Sequence, residues 1–206
     1  MPKAIPDLLH TRREEIIDTC KTLYENKGFR EITIKDIGAL TTFTRTSIYN
    51  YFQTKEEIFL AMHQREYEHW NDELQAILDA NESLTKDDFA NKIASSLEHR
   101  STLLKLLSIN HFDMEKNCRQ EMLVEFKKAY GNSLSLIQKC LHKFFPELSD
   151  KKIESFIYIF FPFLFGIYPY TEVTENQRNA MRDAGLTFKY QTVHQITYRC
   201  IRTLLD

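Results

Sequence analysis

From Ile58 to Leu78 the apolar residues Ile58, Phe59, Met62, Tyr67, Trp70, Leu74, Ile77 and Leu78 recur at the three-and-four spacing of a single helix face. A strand cannot use that spacing, because its side chains alternate every two residues. The same period runs through nearly the whole chain, and five glycines and five prolines among 206 residues leave little punctuation between segments. The expected fold is therefore all-α. A composition that is 43% hydrophobic and 13% aromatic is ample for a buried core.

The front of the chain reads as a succession of short helices. Ile16, Ile17, Cys20, Leu23 and Tyr24 form the apolar face of a first helix, with Thr11 and Glu14 spaced as a capping box and Gly28 as its stop. Thr33 is placed to cap a second helix carrying Ile34, Ile37 and Leu40, and Thr44 a third that ends near Tyr51 or Phe52. Thr54, with Glu57 three residues on, opens the long fourth helix. Further helices are expected over about Lys86–His99, Ser101–Ile109, Arg119–Phe145, Ser149–Tyr168 and Lys189–Leu205.

Charge narrows the function. The net charge is −2, and the first sixty residues hold nine basic and nine acidic side chains, so no basic excess advertises the chain to an anionic polymer. Between Ile37 and Lys55, however, no acidic residue occurs, and the segment TTFTRTSIYNYFQTK supplies six Thr or Ser hydroxyls, Arg45 and Lys55. Short helix, tight turn and short helix form the unit that lays its second helix in a DNA major groove. Ile48 and Phe52, at i and i+4, suffice to pack that helix, which leaves Arg45, Thr46, Ser47, Tyr49 and Asn50 near its N-terminus or outer face. Hydroxyls and amides bond phosphates and base edges, and Arg is the usual bidentate partner of guanine. Lys55 in the first turn of the fourth helix opposes the helix dipole unless a phosphate binds there. Taken alone, a Thr-rich stretch is also an ordinary loop and a Tyr pair ordinary packing.

The stretch TIKDIGALTTFTRTSIYNYFQTKEEIF resembles the front motif of the tetracycline-repressor (TetR-like) family, with Ile48, Tyr49, Tyr51, Phe52, Lys55, Glu56 and Ile58 in register. It departs at Gly38 and Thr41, which stand where the family usually has Ala, at Thr42, which stands at the turn glycine, and at Thr46, which replaces a small residue. A β-branched residue resists the left-handed backbone that a turn glycine provides. The resemblance implies that Thr44, Arg45, Thr46, Ser47, Asn50 and Tyr51 face bases or backbone, and that Thr33, Tyr49, Thr54 and Lys55 hold phosphates. It also implies an N-terminal three-helix helix-turn-helix domain, residues 8–57. A long helix joins this to a helical bundle, residues 58–206, that binds an effector and dimerises. The implied function is that of a ligand-responsive homodimeric repressor acting on a near-palindromic, double-stranded operator near its own gene.

The rest of the chain is less specific. FIYIFFPFLFGIY, thirteen residues broken by Pro162 and Gly166, falls short of the ~20 that span a bilayer and reads as a helix buried on every side. No membrane role is expected. In a dimer this helix would serve both core and interface, with Val193, Ile196, Cys200, Ile201 and Leu204 of the last helix beside it. Pro162 beside Tyr158, Phe161, Phe165 and Tyr168 reads either as the wall of a pocket for an apolar or aromatic small molecule or as ordinary core packing.

Cysteines 20, 118, 140 and 200 form no CxxC pair and read as buried thiols. The N-terminus turns charged before an apolar run long enough for a signal peptide, so a cytoplasmic location is expected. Glu66 and His69 have the spacing of a bundle metal site but lack the second copy such a site needs. No cofactor or nucleophile motif appears, and the protein is expected not to be an enzyme. Two alternatives stay open: a metal-binding helical enzyme, and an adaptor whose helix-turn-helix packs on protein.

Overall fold

The computed structural model describes residues 5–109 and 114–206, with side chains from residue 10 onward. Its described residues form helices and no strands. They are α1 (Ile5–Asn26), α2 (Ile34–Leu40), α3 (Arg45–Ile48), α4 (Lys55–Ala80), α5 (Lys86–Glu98), α6 (Ser101–Leu107), α7 (Gln120–Phe144), α8 (Asp150–Thr171), α9 (Glu175–Asp183) and α10 (Val193–Leu205), with a 3-10 turn at Phe29–Glu31. By internal contacts the chain divides into two compact units, residues 1–66 with 109–130 and residues 67–108 with 131–206.

In the first unit, α1, α2 and the start of α4 bury Ile16, Ile17, Cys20, Tyr24, Ile37, Ile58, Phe59 and Met62. The Phe59 ring meets Tyr24 edge-on at 5.2 Å and Phe29 at 4.8 Å. Two expected ends differ. α1 begins at Ile5, so Thr11 lies inside the helix and not at its start, while Glu14 bonds Arg65 of α4 at 2.9 Å. Gly28 does not end α1 in a left-handed conformation. At φ −79° and ψ 158° it is extended and heads the 3-10 turn, donating its N–H to the Glu31 carboxylate.

In the second unit, α5 buries Phe89, Ala90, Ile93, Ala94 and Leu97, and α6 buries its four leucines. α10 packs on α5 and α8, and α6 on α8. Trp70 donates its indole N–H to Ser96 Oγ at 3.0 Å, which satisfies the one polar atom of the largest buried side chain.

α8 corrects an expectation. Ile153, Phe156, Phe160, Phe161, Leu164 and Ile167 are buried, but Tyr158 is 73% exposed, Ile159 52%, Phe165 37% and Tyr170 60%. The helix is apolar all round yet buried on one side. At 22 residues it is long and apolar enough to cross a membrane, but its first turns carry Asp150, Lys151, Lys152 and Glu154, and its buried side belongs to the core. α9 has no counterpart in the periodicity, because it buries no residue. Its signal was the Thr174 and Gln177 capping box.

Candidate nucleic-acid interface

The helix-turn-helix segment is built by three ties. Thr33 caps α2 by accepting from the Asp36 N–H at 3.2 Å, and the Asp36 carboxylate accepts from the Thr33 N–H at 2.9 Å. The Thr33 hydroxyl and amide hold the Asp36 carboxyl below its ordinary range. Gly38 lets α3 come close: a Cβ there would sit 3.1 Å from Arg45 Cα. This is a physical reason for glycine at this position. Third, Thr42 donates its N–H and, at 3.0 Å, its hydroxyl to the Glu15 carboxylate on α1.

That last contact answers the question raised by Thr42 in place of glycine. Among the described residues no non-glycine has a positive φ. Thr41 (φ −86°, ψ 157°) and Thr44 (φ −68°, ψ 149°) are both extended, so the turn needs no left-handed residue. A side chain from α1 satisfies the Thr42 amide instead.

α3 itself is a single turn, shorter than expected, and the chain continues in turn conformation with Asn50 N–H donating to Ser47 O and Phe52 N–H to Ile48 O. Ile48 and Phe52 are fully buried. Thr44, Arg45, Thr46, Tyr49 and Asn50 are exposed, and Ser47 and Tyr51 half-buried. Arg45 lies 3.4 Å from the Tyr49 hydroxyl, and the hydroxyls of Thr44 and Ser47 share a hydrogen bond at 3.0 Å. The segment thus offers one guanidinium, hydroxyls, a phenol and an amide on one solvent-facing surface.

Three residues on the α4 side have other work. Lys55 points away from the α4 N-terminus: its ammonium donates to the carbonyls of Phe29 at 2.9 Å and Ile32 at 3.1 Å, and sits 4.4 Å from the Phe29 ring centroid. Thr54 accepts from the Glu57 N–H at 3.2 Å as the cap of α4 and donates to the carbonyl of Asn117 at 3.0 Å. The Glu57 carboxylate does not close that capping box. It is buried and accepts from the N–H of Gln53 at 2.7 Å and from Arg119 Nε at 2.8 Å. Burial pushes its pKa up, but the hydrogen bonds from Arg119 and from the Gln53 and Arg119 amides outweigh it and hold the carboxyl below its usual range. Sequence reasoning missed Glu15 and Arg119. Their partners lie 27 and 62 residues away, so no local pattern pointed to them.

The remaining candidates are separately placed. Glu66 is buried against Lys21 at 2.6 Å and His69 is exposed. Of the aromatic set on α8, Phe161 is buried 6.1 Å from Trp70, Tyr168 is half-buried with its hydroxyl pKa raised by burial and by Glu172, and Tyr158 and Phe165 are exposed. A hollow of about 440 Å³ on this helix is walled by Pro162, Phe163, Gly166, Ile167, Tyr170 and Ile196 instead. The four cysteines are free; burial raises Cys20, Cys118 and Cys140 to about 12 and Cys200 to about 11.

Comparison with known proteins agrees with this fold. A stretch of 58 residues is 36% identical to the uncharacterized HTH-type transcriptional regulator YfiR of Bacillus subtilis (strain 168), a match spanning 28% of this chain and 28% of that protein. The fold is similar to that of the fatty acid degradation regulator FadR from Bacillus halodurans, at TM-score 0.59 and 15% identity over 93% of this chain and 97% of that one. It is also similar to the MbdR regulator from Azoarcus sp. CIB, at TM-score 0.56 and 20% identity over 94% and 96% of the two chains. Residues 16–62 match the family described as bacterial regulatory proteins, tetR family, and residues 64–191, more than half the chain, match the tetracyclin repressor-like C-terminal domain. With both of these on an all-helical fold that presents a polar reading turn, the chain belongs to the TetR family of bacterial transcriptional regulators.

Proposed function

We propose that this protein is a cytoplasmic homodimeric repressor that releases its operator when a small molecule binds. The observation that carries the DNA-reading half is the surface of Thr44, Arg45, Thr46, Ser47, Tyr49, Asn50 and Tyr51, displayed over the buried pair Ile48 and Phe52. Arg45 reads a base pair in the major groove and Tyr49 faces a phosphate, whereas the hydroxyl protons of Thr33 and Thr54 are already given to Asp36 and to the Asn117 carbonyl. Lys55 serves the same surface by fixing the carbonyls of Phe29 and Ile32, which set the path into Thr33; a phosphate contact of its own would draw the ammonium off those carbonyls.

Residues 8–57 are the reading domain and residues 58–206 the effector and dimerisation domain in this proposal. Exposed apolar surface on α8, with half-exposed Val193, Ile196, Cys200 and Leu204 on α10, supports a two-fold contact between two copies. Two reading turns would then enter successive major grooves ~34–36 Å apart on a near-palindromic site. The effector is apolar or aromatic, in keeping with the hollow beside Pro162 and the neighbouring aromatics of α8. It acts by binding one head spacing better than the other, since equal affinity for both would shift nothing.

Selection of bound DNA from a random duplex pool tests this. The expected product is a palindrome whose half-sites lie one helical turn apart. Recovery of a single unrepeated half-site, or of no sequence, would overturn the dimeric reading or the DNA-binding reading respectively.

A further inference from the structure

The first unit contains a passage of chain, residues 109–130, that no sequential reading of an N-terminal domain assigns to it. Its described part meets the end of the reading segment directly. Arg119 donates from its backbone N–H to Glu57 Oε1 at 3.1 Å, from Nε to Oε1 at 2.8 Å and from Nη2 to Oε2 at 3.1 Å. The same Nη2 donates to the carbonyl of Tyr51 at 3.1 Å. Glu57 Oε2 also accepts the N–H of Gln53, and two residues before Arg119 the carbonyl of Asn117 takes the Thr54 hydroxyl. Tyr51, Gln53 and Thr54 are thus fastened, directly or through Glu57, to the chain that starts α7.

We infer that Arg119 is a positioning residue for DNA reading: it clamps the Tyr51–Glu57 stretch and thereby sets where the α3 surface stands relative to the phosphates. The inference rests on the DNA-binding reading above. Glu57 is 1% exposed at its side chain, and a buried carboxylate persists only when it is paired and its lone pairs are filled. Here four donors fill them, two in the fork geometry that only an arginine supplies. Backbone hydrogen bonds inside α3 span a single turn, so the helix has little stiffness of its own, and its placement depends on what holds its ends. Gly38 and Glu15 hold the entrance; Arg119 holds the exit. Specific binding needs that placement, because base contacts tolerate little displacement, whereas non-specific attraction to phosphates does not. Nothing in the front fifty residues supplies the clamp, which is why it does not appear in the motif.

The test compares wild type, Arg119→Ala, Arg119→Lys and Glu57→Gln as full-length proteins. Each is titrated with the DNA recovered from the random pool and with a scrambled duplex across a salt series. Arg119→Ala and Glu57→Gln are expected to lose at least roughly tenfold for the selected DNA while changing little for the scrambled duplex, with an unchanged salt slope. Arg119→Lys, which keeps charge without the fork, should fall between. Wild-type affinity in both variants overturns the inference. So does a loss for both duplexes in Arg119→Ala with a slope lower by about one, which makes Arg119 a phosphate ligand.

Amide exchange in the free protein reads the clamp without DNA, so a failed selection overturns only the DNA-binding reading. Protection at Tyr51, Phe52 and Gln53 should drop roughly tenfold or more in both variants, with Ile16 and Ile17 unchanged. Equal protection in the wild type and the variants overturns the clamp.

Discussion

Two exposed surfaces of this chain differ in kind. The Thr44–Asn50 turn of the first unit is polar and rests on two buried side chains, whereas the open side of α8 in the second unit is aromatic and aliphatic on a helix six of whose residues are buried. Water solvates the first at no cost but not the second. The polar surface therefore waits for a partner that hydrogen-bonds, and the apolar one for a partner that excludes water. The proposed function uses both, because reading an operator and pairing two copies draw on different physical chemistry.

The largest expected effect strikes the apolar surface. Phe165→Glu or Ile159→Glu places an unpaired carboxylate in the proposed contact, a cost of several kcal/mol once buried. Sedimentation should show monomers with unchanged helicity, and a variant that still sediments as a dimer would break the assignment of α8. Such single changes are better tests than removing the chain from Lys189 onward, because α10 buries Thr197, Ile201 and Leu205 in its own unit and its loss would unfold the bundle.

Next comes the support of the polar surface. Phe52→Ala empties a fully buried ring site and should cost ~3–5 kcal/mol in chemical denaturation, with loss of DNA binding. Thr46→Ala, on the exposed side of the same turn, should stay within ~0.5 kcal/mol in stability. If the two cost the same, the division between scaffold and surface is wrong. Arg45→Ala should cost ~1–3 kcal/mol of operator affinity and relax preference at one base pair per half-site. Unchanged selectivity would remove its reading role.

Lys55→Met should lower stability by about 1–2 kcal/mol, since it leaves two carbonyls without their donor and removes the cation from the Phe29 face. Its effect on DNA should fall mainly on the selected sequence, as expected of a residue that positions the surface without touching phosphates. A salt slope that also falls by about one would add the direct phosphate contact that its place in the sequence implies.

The smallest effect is an acid limb. Glu57 has a folded pKa below its unfolded value, so the stability it contributes is fully present above the unfolded pKa of ~4.3 and is lost as pH falls through the folded value. Arg119, in contact with it, stays charged throughout, and Glu56, Glu115 and Glu121 are the other acids near this pair. A pH series from 7 to 3 should therefore steepen less in Glu57→Gln than in the wild type.

Most of the scaffold was legible from spacing alone. The caps at Thr33 and Thr54, the buried pair Ile48 and Phe52, and the long run from Ile58 onward are local signals, carried by residues within a few positions of one another. What escaped was non-local or unpatterned. α9 holds only Ala180 and Met181 as apolar residues and so shows no apolar period; α1 begins at Ile5, ahead of Thr11. The sites of Thr42 and Lys55 could be placed from the sequence, but their partners could not, because Glu15, Phe29 and Ile32 are brought to them by packing.

By itself the sequence determined the helical class, the helix-turn-helix with its exposed Thr44, Arg45 and Asn50, and the family, because helix period, caps and a short motif are properties of neighbouring residues. Only the tertiary structure decided how the turn forms without glycine, which side of α8 stays open, and that Arg119 holds the end of the reading segment. Those depend on hydrogen bonds and burial between residues far apart in the chain, and a buried carboxylate such as Glu57 acquires its role only when folding delivers its cation.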